Sequence, residues 1–380
     1  MLHYGRQSIN QDDVQAVVDV LHSDYVTTGP MVGKFEEAFA KAVGVEHAVA
    51  VSSGTASLHA AMSAIGIGPG DEVIVPAITF AATSNSVLYQ GGTPVFADVD
   101  PETLLIDPED VRERITPRTQ AIVAVDYAGQ PCDYDTLREI AEEFDLRLIS
   151  DACHSLGGMY NNQPCGSLAD ISCFSLHPVK AITAGEGGVA TTDDEEYATR
   201  MTTFRNHGIT TDHNQRRMLG QHVYDMQDLG FNYRITDIQC ALAHSQLQRL
   251  GQFTHRRQEI AAKYYSLLKD MDCVEPLKTQ LDVHHAYHLF VVRCPGHRDE
   301  LFDHFREAYI NAGVHYRPVY QLNYYQQLFG DFDHRCPNAE QAYKEVLSLP
   351  IFPAMQDYQV EQVVSVLQEF AVKQPTRVAA

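Results

Sequence analysis

The feature that most constrains this chain is an alternation of two hydrophobic periods from residue 33 to about residue 245. KFEEAFAKAV places its apolar residues at helical spacing, and HAVAV is a short apolar run that ends at Ser52-Ser53-Gly54-Thr55. ASLHAAMSAIG reads as a helix, DEVIVP as a strand, Ala81 to Tyr89 as a helix and TPVFADV as a strand. The strand-like run Gln120 to Val125, the helix Tyr134 to Phe144 and the strand LRLIS complete a third β-α-β unit. Parallel neighbours need a long crossover, which a helix supplies, so the alternation predicts an α/β fold whose mainly parallel sheet is covered by helices on both faces. Ligands of such sheets bind beyond the C-terminal ends of the strands.

After about Leu250 the pattern changes. A long helix over Phe253 to Lys269 leads into HAYHLFVVRC, a helix near Arg298 to Ala312, the segment VHYRPVY and a last helix near Val360 to Glu369. A chain of 380 residues exceeds what one small core requires. We therefore expect a large domain over residues 1–245, with an N-terminal arm over 1–30, and a smaller α+β domain over 246–380 that ends in a frayed tail, VKQPTRVAA.

Charge narrows the function. With 28 basic and 50 acidic side chains the net charge is −22, which argues against coating nucleic acid or an anionic membrane, since both demand a positive surface. The opening MLHYGRQSINQDDVQAVVDVL lacks the basic stretch and apolar core of a secretory leader. No apolar run is long enough to span a bilayer, and the eight cysteines never form C-x-x-C, a pattern that suits reduced, structural thiols. A cytoplasmic protein without nucleic-acid or membrane partners is expected.

Several site types are missing: there is no G-x-S-x-G elbow, Walker sequence or H-E-x-x-H. No G-x-G-x-x-G follows a strand, and Gly66-Ile67-Gly68-Pro69-Gly70 reads as a turn between helix and strand. His284, His285 and His288 lie in an apolar strand-like run and read as structural histidines with their hydrogen bonds met, so no metal is expected.

Three features remain. Asp151 follows the strand LRLIS directly, where an open sheet presents functional groups, although a helix N-cap would also explain it. Lys180 lies in the loop of ADISCFSLHPVKAITAGEGGVATT, between two strand-like runs. The chain has eight lysines: 34, 41, 263, 269 and 344 fall in solvent-facing helical patterns, 278 in a polar loop and 373 in the tail. Lys180 alone has an apolar, Gly-rich setting, where desolvation would free its amine as a nucleophile; a lysine snorkelling from a loop is the plainer alternative. Ser52-Ser53-Gly54-Thr55-Ala56 joins a strand to a helix, where backbone N–H groups and the helix dipole favour a phosphate, though any such turn favours Ser and Gly. Pyridoxal 5′-phosphate needs these together: a lysine for the Schiff base, a carboxylate for its pyridine nitrogen and an N–H-rich phosphate cup.

With these motifs assembled, the sequence resembles the DegT/DnrJ/EryC1/StrS family of sugar aminotransferases, which are fold-type I, aspartate aminotransferase-like enzymes. The resemblance runs from about Tyr4 to Glu369 and is carried by SSGTASLHAA, GDEVIVPAITFAATSN, DACHSLG, SLHPVKAITAGEGG, RNHG, LGFNYRITDIQCAL and GVHYRPVYQ. It implies Lys180 as the Schiff-base lysine and Asp151 as partner of the pyridine nitrogen, with Gly54, Thr55 and Ser175 on the phosphate. It also implies His154 beside the phenolic oxygen, Phe80 stacked on the ring, and Asn232 reaching the phosphate from the neighbouring subunit of a homodimer. Thr28, Gly29, His315, Tyr316 and Arg317 are candidates for sugar-nucleotide contacts, and the scarce positive charge is expected to gather at the site through Arg317 and the helix starting at Gly54. Leu176 departs from the S-F-H usual in the family, which bears on packing beside the site. The role of His177 is open.

Within the family, HPVKAIT-GEGG, VDYAG, NYR-TDIQ-AL-SQL and VHYRPVYQ are similar to the members that serve pseudaminic acid biosynthesis. Those transfer the amino group of L-glutamate to C4 of a UDP-linked 4-keto-6-deoxy-2-acetamido sugar. DVDPETLLIDPEDVRERITPRTQAI and HAYHLFVVR are close to the members that make UDP-4-amino-4-deoxy-L-arabinose. A relative that dehydrates its sugar carries His in place of Lys180. A non-catalytic regulator would need a DNA-binding module, and a nicotinamide oxidoreductase the missing glycine fingerprint.

Overall fold

The computed structural model describes residues 1–211, 216, 218, 220, 222–330 and 336–373, so the tail expected to fray lies largely outside the described residues, at 374–380. The first half of the chain builds a seven-stranded sheet. Its strands are β1 (His47–Val51), β2 (Glu72–Pro76), β3 (Thr93–Ala97), β4 (Thr119–Val125), β5 (Arg147–Asp151), β8 (Ile171–Ser175) and β9 (Gly188–Thr192), in the order β1-β9-β8-β5-β4-β2-β3. Between β5 and β8 the chain makes the short hairpin β6 (Met159–Tyr160) and β7 (Gln163–Pro164). β3, β2, β4, β5 and β8 pair in parallel, whereas β9 is antiparallel to both β8 and β1. Six strands therefore point one way and β9 alone returns.

Helices fill the crossovers for local reasons. α1 (Gln11–Leu21) starts at Asn10, whose side chain accepts from the Asp13 N–H while Asp13 answers the Asn10 N–H. α2 (Pro30–Val43) has Pro in its first turn and stops at Gly44 in the left-handed region, with Phe35, Phe39 and Val43 on its buried face. α3 (Gly54–Ala64) is capped by Ser53, α4 (Ala81–Tyr89) follows the segment after β2, and α6 (Tyr134–Glu143) is capped by Asp133. α5 (Pro108–Arg114) and α7 (Glu195–Arg205) start at Asp107 and Asp194.

Neighbouring strand residues divide between two apolar layers, as a period of two requires. Val49, Val51, Cys173 and Ala190 join the layer holding Leu58, Met62, Ile74 and Ile122, whereas Ala50, Phe174 and Val189 join Phe35, Phe39, Ile235 and Leu247. A third apolar cluster lies between a three-stranded antiparallel sheet, β10 (Glu275–Pro276), β12 (Phe290–Arg293) and β13 (Val346–Leu349), and the helices Leu250–Leu268, Arg298–Glu307 and Asp357–Lys373. Val319, Tyr320, Tyr325 and Ala339 pack against the first layer. Two expected details differ. The helix after Arg298 stops at Glu307, and only β11 (Val283–His284) of the histidine-rich run forms a strand before Phe290, because the 285–288 turn bonds instead to the loop after β4, through Ala286 N–H to Gly129 O and Leu289 N–H to Ala128 O.

The N-terminal arm is fastened by one fully buried carboxylate. Asp13 accepts from Ser245 Oγ (2.7 Å), Gln246 Nε2 (2.6 Å) and the guanidinium of Arg249. Removing the acid leaves the Arg249 guanidinium and the Gln246 amide with the Ser8 carbonyl as their remaining acceptor, so Asp13→Ala should lower unfolding stability by about 2–3 kcal/mol. Urea denaturation checks this, with Ile9→Ala on the exposed face as a near-neutral control.

Candidate active site

The parallel strands end along one edge, and a cavity of about 410 Å³ opens there. Its lining includes Gly54, Thr55, Phe80, Asp151, His154, Ser175, Lys180, His315 and Tyr316, so nine residues singled out from sequence converge on one place. Asp151 is the last residue of β5 and is paired in register with Cys173 of β8. β8 ends two residues later at Ser175, and the chain turns through residues 176–187 into β9, with Lys180 in that turn. The turn is closed by Lys180 N–H to His177 O at 2.9 Å and Ala184 N–H to Leu176 O at 3.0 Å. Leu176 is wholly buried beneath it, in the apolar layer with Phe174 and Ile182.

Lys180 reaches the cavity half-buried. Burial lowers its pKa and the buried Arg257 guanidinium pushes the same way, while the Cys153 thiol and Asp151 pull it up; the net direction is down. A lysine of lowered pKa holds more neutral amine at a given pH, the form that attacks a carbonyl. Arg257 makes its bonds to main-chain oxygens, those of Tyr287 (3.1 Å), His288 (3.3 Å), Ile351 (3.0 Å) and Val179 (3.5 Å), and so joins the Lys180 turn to the histidine turn.

At the end of β1, Ser53 caps α3 by accepting from Ala56 N–H at 3.1 Å. The N–H groups of Gly54 and Thr55, in the first turn of that helix, have no intrahelical acceptor, and both residues face the cavity. Close approach demands glycine here: a Cβ on Gly54 would lie 2.7 Å from Ser175 Cβ, and one on Gly188 would lie 2.3 Å from Ser53 O. Aromatic rings line the same cavity. The His154 ring lies tilted against that of His288 with centroids 4.3 Å apart, and its Nε2 lies 3.3 Å from Tyr316 Oη. Phe80, well exposed at the mouth, lies 6.2 Å from the Tyr316 ring, and His315 Nδ1 bonds Ser348 Oγ at 2.8 Å.

Other expected site residues fall elsewhere. Thr28 and Gly29 line a separate cavity of about 300 Å³ with Glu36, Arg205, Asn206 and Arg234. Gly29 also has a structural task there, giving its N–H to Asp237 Oδ2 at 2.7 Å at the head of α2. Asn232 is exposed, bridges to Asn206 through the backbone and is not among the lining residues of the first cavity. Arg317 is exposed and also outside that lining, so the positive charge expected there from Arg317 is not supplied by it. Among the described residues that line the cavity, the lysine is Lys180 and the carboxylates are Asp151 and Glu186. His177, exposed, lines the cavity too.

Sequence reasoning passed over Tyr4, Thr79, Cys153, Glu186 and His288, all on the cavity wall. His288 is the instructive one, because an apolar run suggested a histidine with its hydrogen bonds met. It is buried, its Nδ1 has no hydrogen-bond partner, and its place just ahead of β12 was the available signal. Among the described residues no group of three or more His, Cys, Asp or Glu is arranged to hold a metal, and no helix is long and apolar enough to cross a membrane.

The residues present fit pyridoxal 5′-phosphate. The donor set is an amine, a carboxylate and a helix start stripped of side-chain bulk, and the buried Nδ1 of His154 is unpartnered.

Burial pushes the imidazoles of this wall and its surroundings toward neutrality. His154 and His288 lie well below the usual histidine value, His315 and His59 are lowered to about 4, and His285 to about 3, in each case chiefly by desolvation. An unfolded chain protonates these histidines near pH 6.5 while the folded one resists, so the unfolded state binds more protons between about pH 6.5 and 4. Stability should therefore fall as pH drops through that window. The urea midpoint at pH 5 should lie below that at pH 7, and removing one imidazole with His59→Phe should shrink the difference.

The comparisons agree with this geometry. The model of the DegT/DnrJ/EryC1/StrS aminotransferase family matches residues 7–368. Spore coat polysaccharide biosynthesis protein SpsC of Bacillus subtilis (strain 168) is 38% identical over 375 residues, which cover 97% of this chain and 96% of that protein. The structure of Helicobacter pylori PseC, an aminotransferase involved in the biosynthesis of pseudoaminic acid, superposes with a TM-score of 0.92 at 32% identity, covering 98% of this chain and 99% of that one. The putative sugar aminotransferase Spr1654 from Streptococcus pneumoniae in its PLP form superposes with a TM-score of 0.91 at 30% identity, covering 97% and 98%. The chain thus has the fold-type I architecture of these enzymes, belongs to the DegT/DnrJ/EryC1/StrS aminotransferase family, and is a sugar aminotransferase that uses pyridoxal 5′-phosphate.

Proposed function

We propose that this enzyme moves the amino group of L-glutamate to C4 of a UDP-linked 4-keto sugar, UDP-2-acetamido-2,6-dideoxy-β-L-arabino-hexos-4-ulose. The product is UDP-4-amino-4,6-dideoxy-N-acetyl-β-L-altrosamine, on the way to pseudaminic acid. The observation that carries the reading is the meeting of Lys180, Asp151 and the Gly54–Thr55 helix start in one cavity, lined as well by the VHYRPVYQ residues His315 and Tyr316. The likeness to H. pylori PseC over nearly the whole chain supports the sugar assignment. UDP-4-amino-4-deoxy-L-arabinose formation is the second reading, favoured by the stretch from Asp98 to Ile122 and by HAYHLFVVR.

When bound, the cofactor supplies an electron sink for the carbon being deprotonated. The chain's residues do the rest. Gly54 and Thr55 N–H groups and Ser175 would hold the phosphate, Asp151 would accept from the pyridine nitrogen, His154 would face the phenolic oxygen and Phe80 would cover the ring. Lys180 would anchor the cofactor, then, once displaced by the amino donor, take a proton from that donor's Cα as a neutral amine. In the second half-reaction it would return a proton to the sugar carbon that receives nitrogen. Its lowered pKa serves both tasks.

A UDP sugar brings a diphosphate, and among the described residues the cavity lining offers it Lys180 alone as a lysine or arginine. That supports a homodimer with shared sites, in which exposed Asn232, together with the Thr28–Gly29 segment beside Arg205 and Arg234, serves a second copy. Residues 1–245, with the arm 1–30, would then form the cofactor-binding domain and 246–380 the smaller one.

Incubation with L-glutamate and a panel of UDP- and dTDP-linked keto sugars tests the assignment, with products read by mass and by NMR for ring configuration. We expect the L-altro 4-amino product from the UDP hexos-4-ulose, and product from the pentose 4-ulose alone would favour the second reading. Lys180→Ala should lose about a thousandfold in turnover with every substrate that the native enzyme accepts.

A further inference from the structure

The wall behind Asp151 holds two hydroxyls that the proposed reaction does not use. Thr79 lies in the segment between β2 and α4, Thr83 lies in the first turn of α4, and they are 2% and 0% exposed. Thr83 Oγ1 donates to Asp151 Oδ2 at 2.7 Å. Thr79 Oγ1 lies 2.7 Å from Thr83 Oγ1. A hydroxyl owns one hydrogen, and that of Thr83 is committed to the carboxylate, so Thr79 must be the donor in the second bond. The direction of the relay is therefore fixed as Thr79 to Thr83 to Asp151. The other carboxylate oxygen receives a longer bond from Cys153 N–H at 3.3 Å, and the Cys153 thiol also interacts with the carboxylate.

We propose that Thr83, backed by Thr79, is a positioning residue for aminotransfer: the ordered hydroxyl pair holds the Asp151 carboxylate in one orientation and weakens it as a base, so that a proton shared with the cofactor's ring nitrogen stays on the nitrogen. This rests on the reading of Asp151 as the partner of that nitrogen. A hydrogen bond to an ionised acceptor is roughly twice as strong as one between neutral groups, and a chain of such bonds polarises in one sense. A carboxylate stripped of its donor becomes the stronger base and draws the shared proton to itself. The ring nitrogen then loses the positive charge that makes the cofactor an electron sink.

The same carboxylate also faces Asp126 at the end of β4, the Cys153 and Cys173 thiols, Lys180 and Tyr316. Asp126 is wholly buried and has its own pKa raised to about 7 by burial, despite bonds from Ser155, Tyr134 and the Cys132 N–H. It approaches Asp151 through the backbone, Asp126 N–H to Asp151 O at 3.2 Å. Among the described residues Thr83 thus gives the short hydroxyl bond to the Asp151 carboxylate, beside the weaker donor that the Cys153 thiol offers.

The test uses the holoenzymes of Thr83→Val, which keeps the shape and loses the hydroxyl, Thr83→Ser, which keeps the hydroxyl, Thr79→Val and Asp151→Asn. Each is read three ways: the pH at which the bound cofactor's visible band changes, and kcat and KM for L-glutamate. Thr83→Val should shift the band's pH midpoint and lower kcat about ten- to hundredfold with KM unchanged. Thr83→Ser should restore both, and Thr79→Val should fall between. A Thr83→Val enzyme that matches the native one in band and kcat overturns the proposal, as does a Thr83→Ser enzyme that fails as Thr83→Val does, since packing of the methyl would then be the cause. A Thr79→Val enzyme like the native one overturns the relay. If Thr83→Val does not fold, Thr83→Ala against Thr83→Ser makes the same contrast. Asp151→Asn separates the two claims, because a native spectrum and turnover there would overturn the reading of Asp151 itself.

Discussion

The pairing of β5 with β8, with β9 returning antiparallel beside it, is the constraint on which the site depends. It places Asp151 against Cys173, brings the chain to the cavity edge at Ser175, and makes it return through residues 176–187 to Gly188. Lys180 is the lysine in that turn. Strands running the same way carry Ser53–Thr55 after β1, Thr79–Phe80 after β2 and Asp151 at the end of β5 to one edge. Close packing then does the rest: a side chain at Gly54 or Gly188 would meet Ser175 or the Ser53 carbonyl at under 3 Å, so the helix start stays bare.

Low polarizability around the edge sets the charges. Burial drives His154 and His288 neutral and lowers the Lys180 pKa, while Asp151 keeps one hydroxyl and one N–H donor. The site therefore presents an amine of lowered pKa and a hydrogen-bonded carboxylate in one cavity, beside imidazoles that burial keeps neutral. Such an arrangement favours moving a proton at carbon through one flexible side chain. Among the described lining residues it leaves little positive charge for a diphosphate, an observation that supports the proposed sharing of sites.

Much of the fold was legible because alternating periods and caps act locally. Elements from KFEEAFAKAV to LRLIS form where the apolar spacing predicts, and the separation of 29 positions from Asp151 to Lys180 announced a strand and a turn. What escaped was decided by distant neighbours. His288 looks structural in an apolar run, and only the fold brings its ring 4.3 Å from His154. Thr79 and Thr83 are ordinary helix-start residues until β5 sets Asp151 beside them, 68 residues away in sequence. Conversely, Thr28 and Gly29 carry a turn-like pattern that says nothing about which cavity it faces, and the structure gives them to another one. Arg317 sits beside two cavity residues, yet it is exposed outside the lining.

The central claim is that Lys180 is the residue that holds the cofactor. Reduction of the native holoenzyme with borohydride, followed by peptide mapping, tests it most directly, because reduction makes the bond between lysine nitrogen and cofactor carbon permanent. The account predicts the pyridoxyl mass on the peptide containing Lys180 and its absence from that peptide when reduction is omitted. A label on any of the other seven lysines, or none on Lys180, would contradict it.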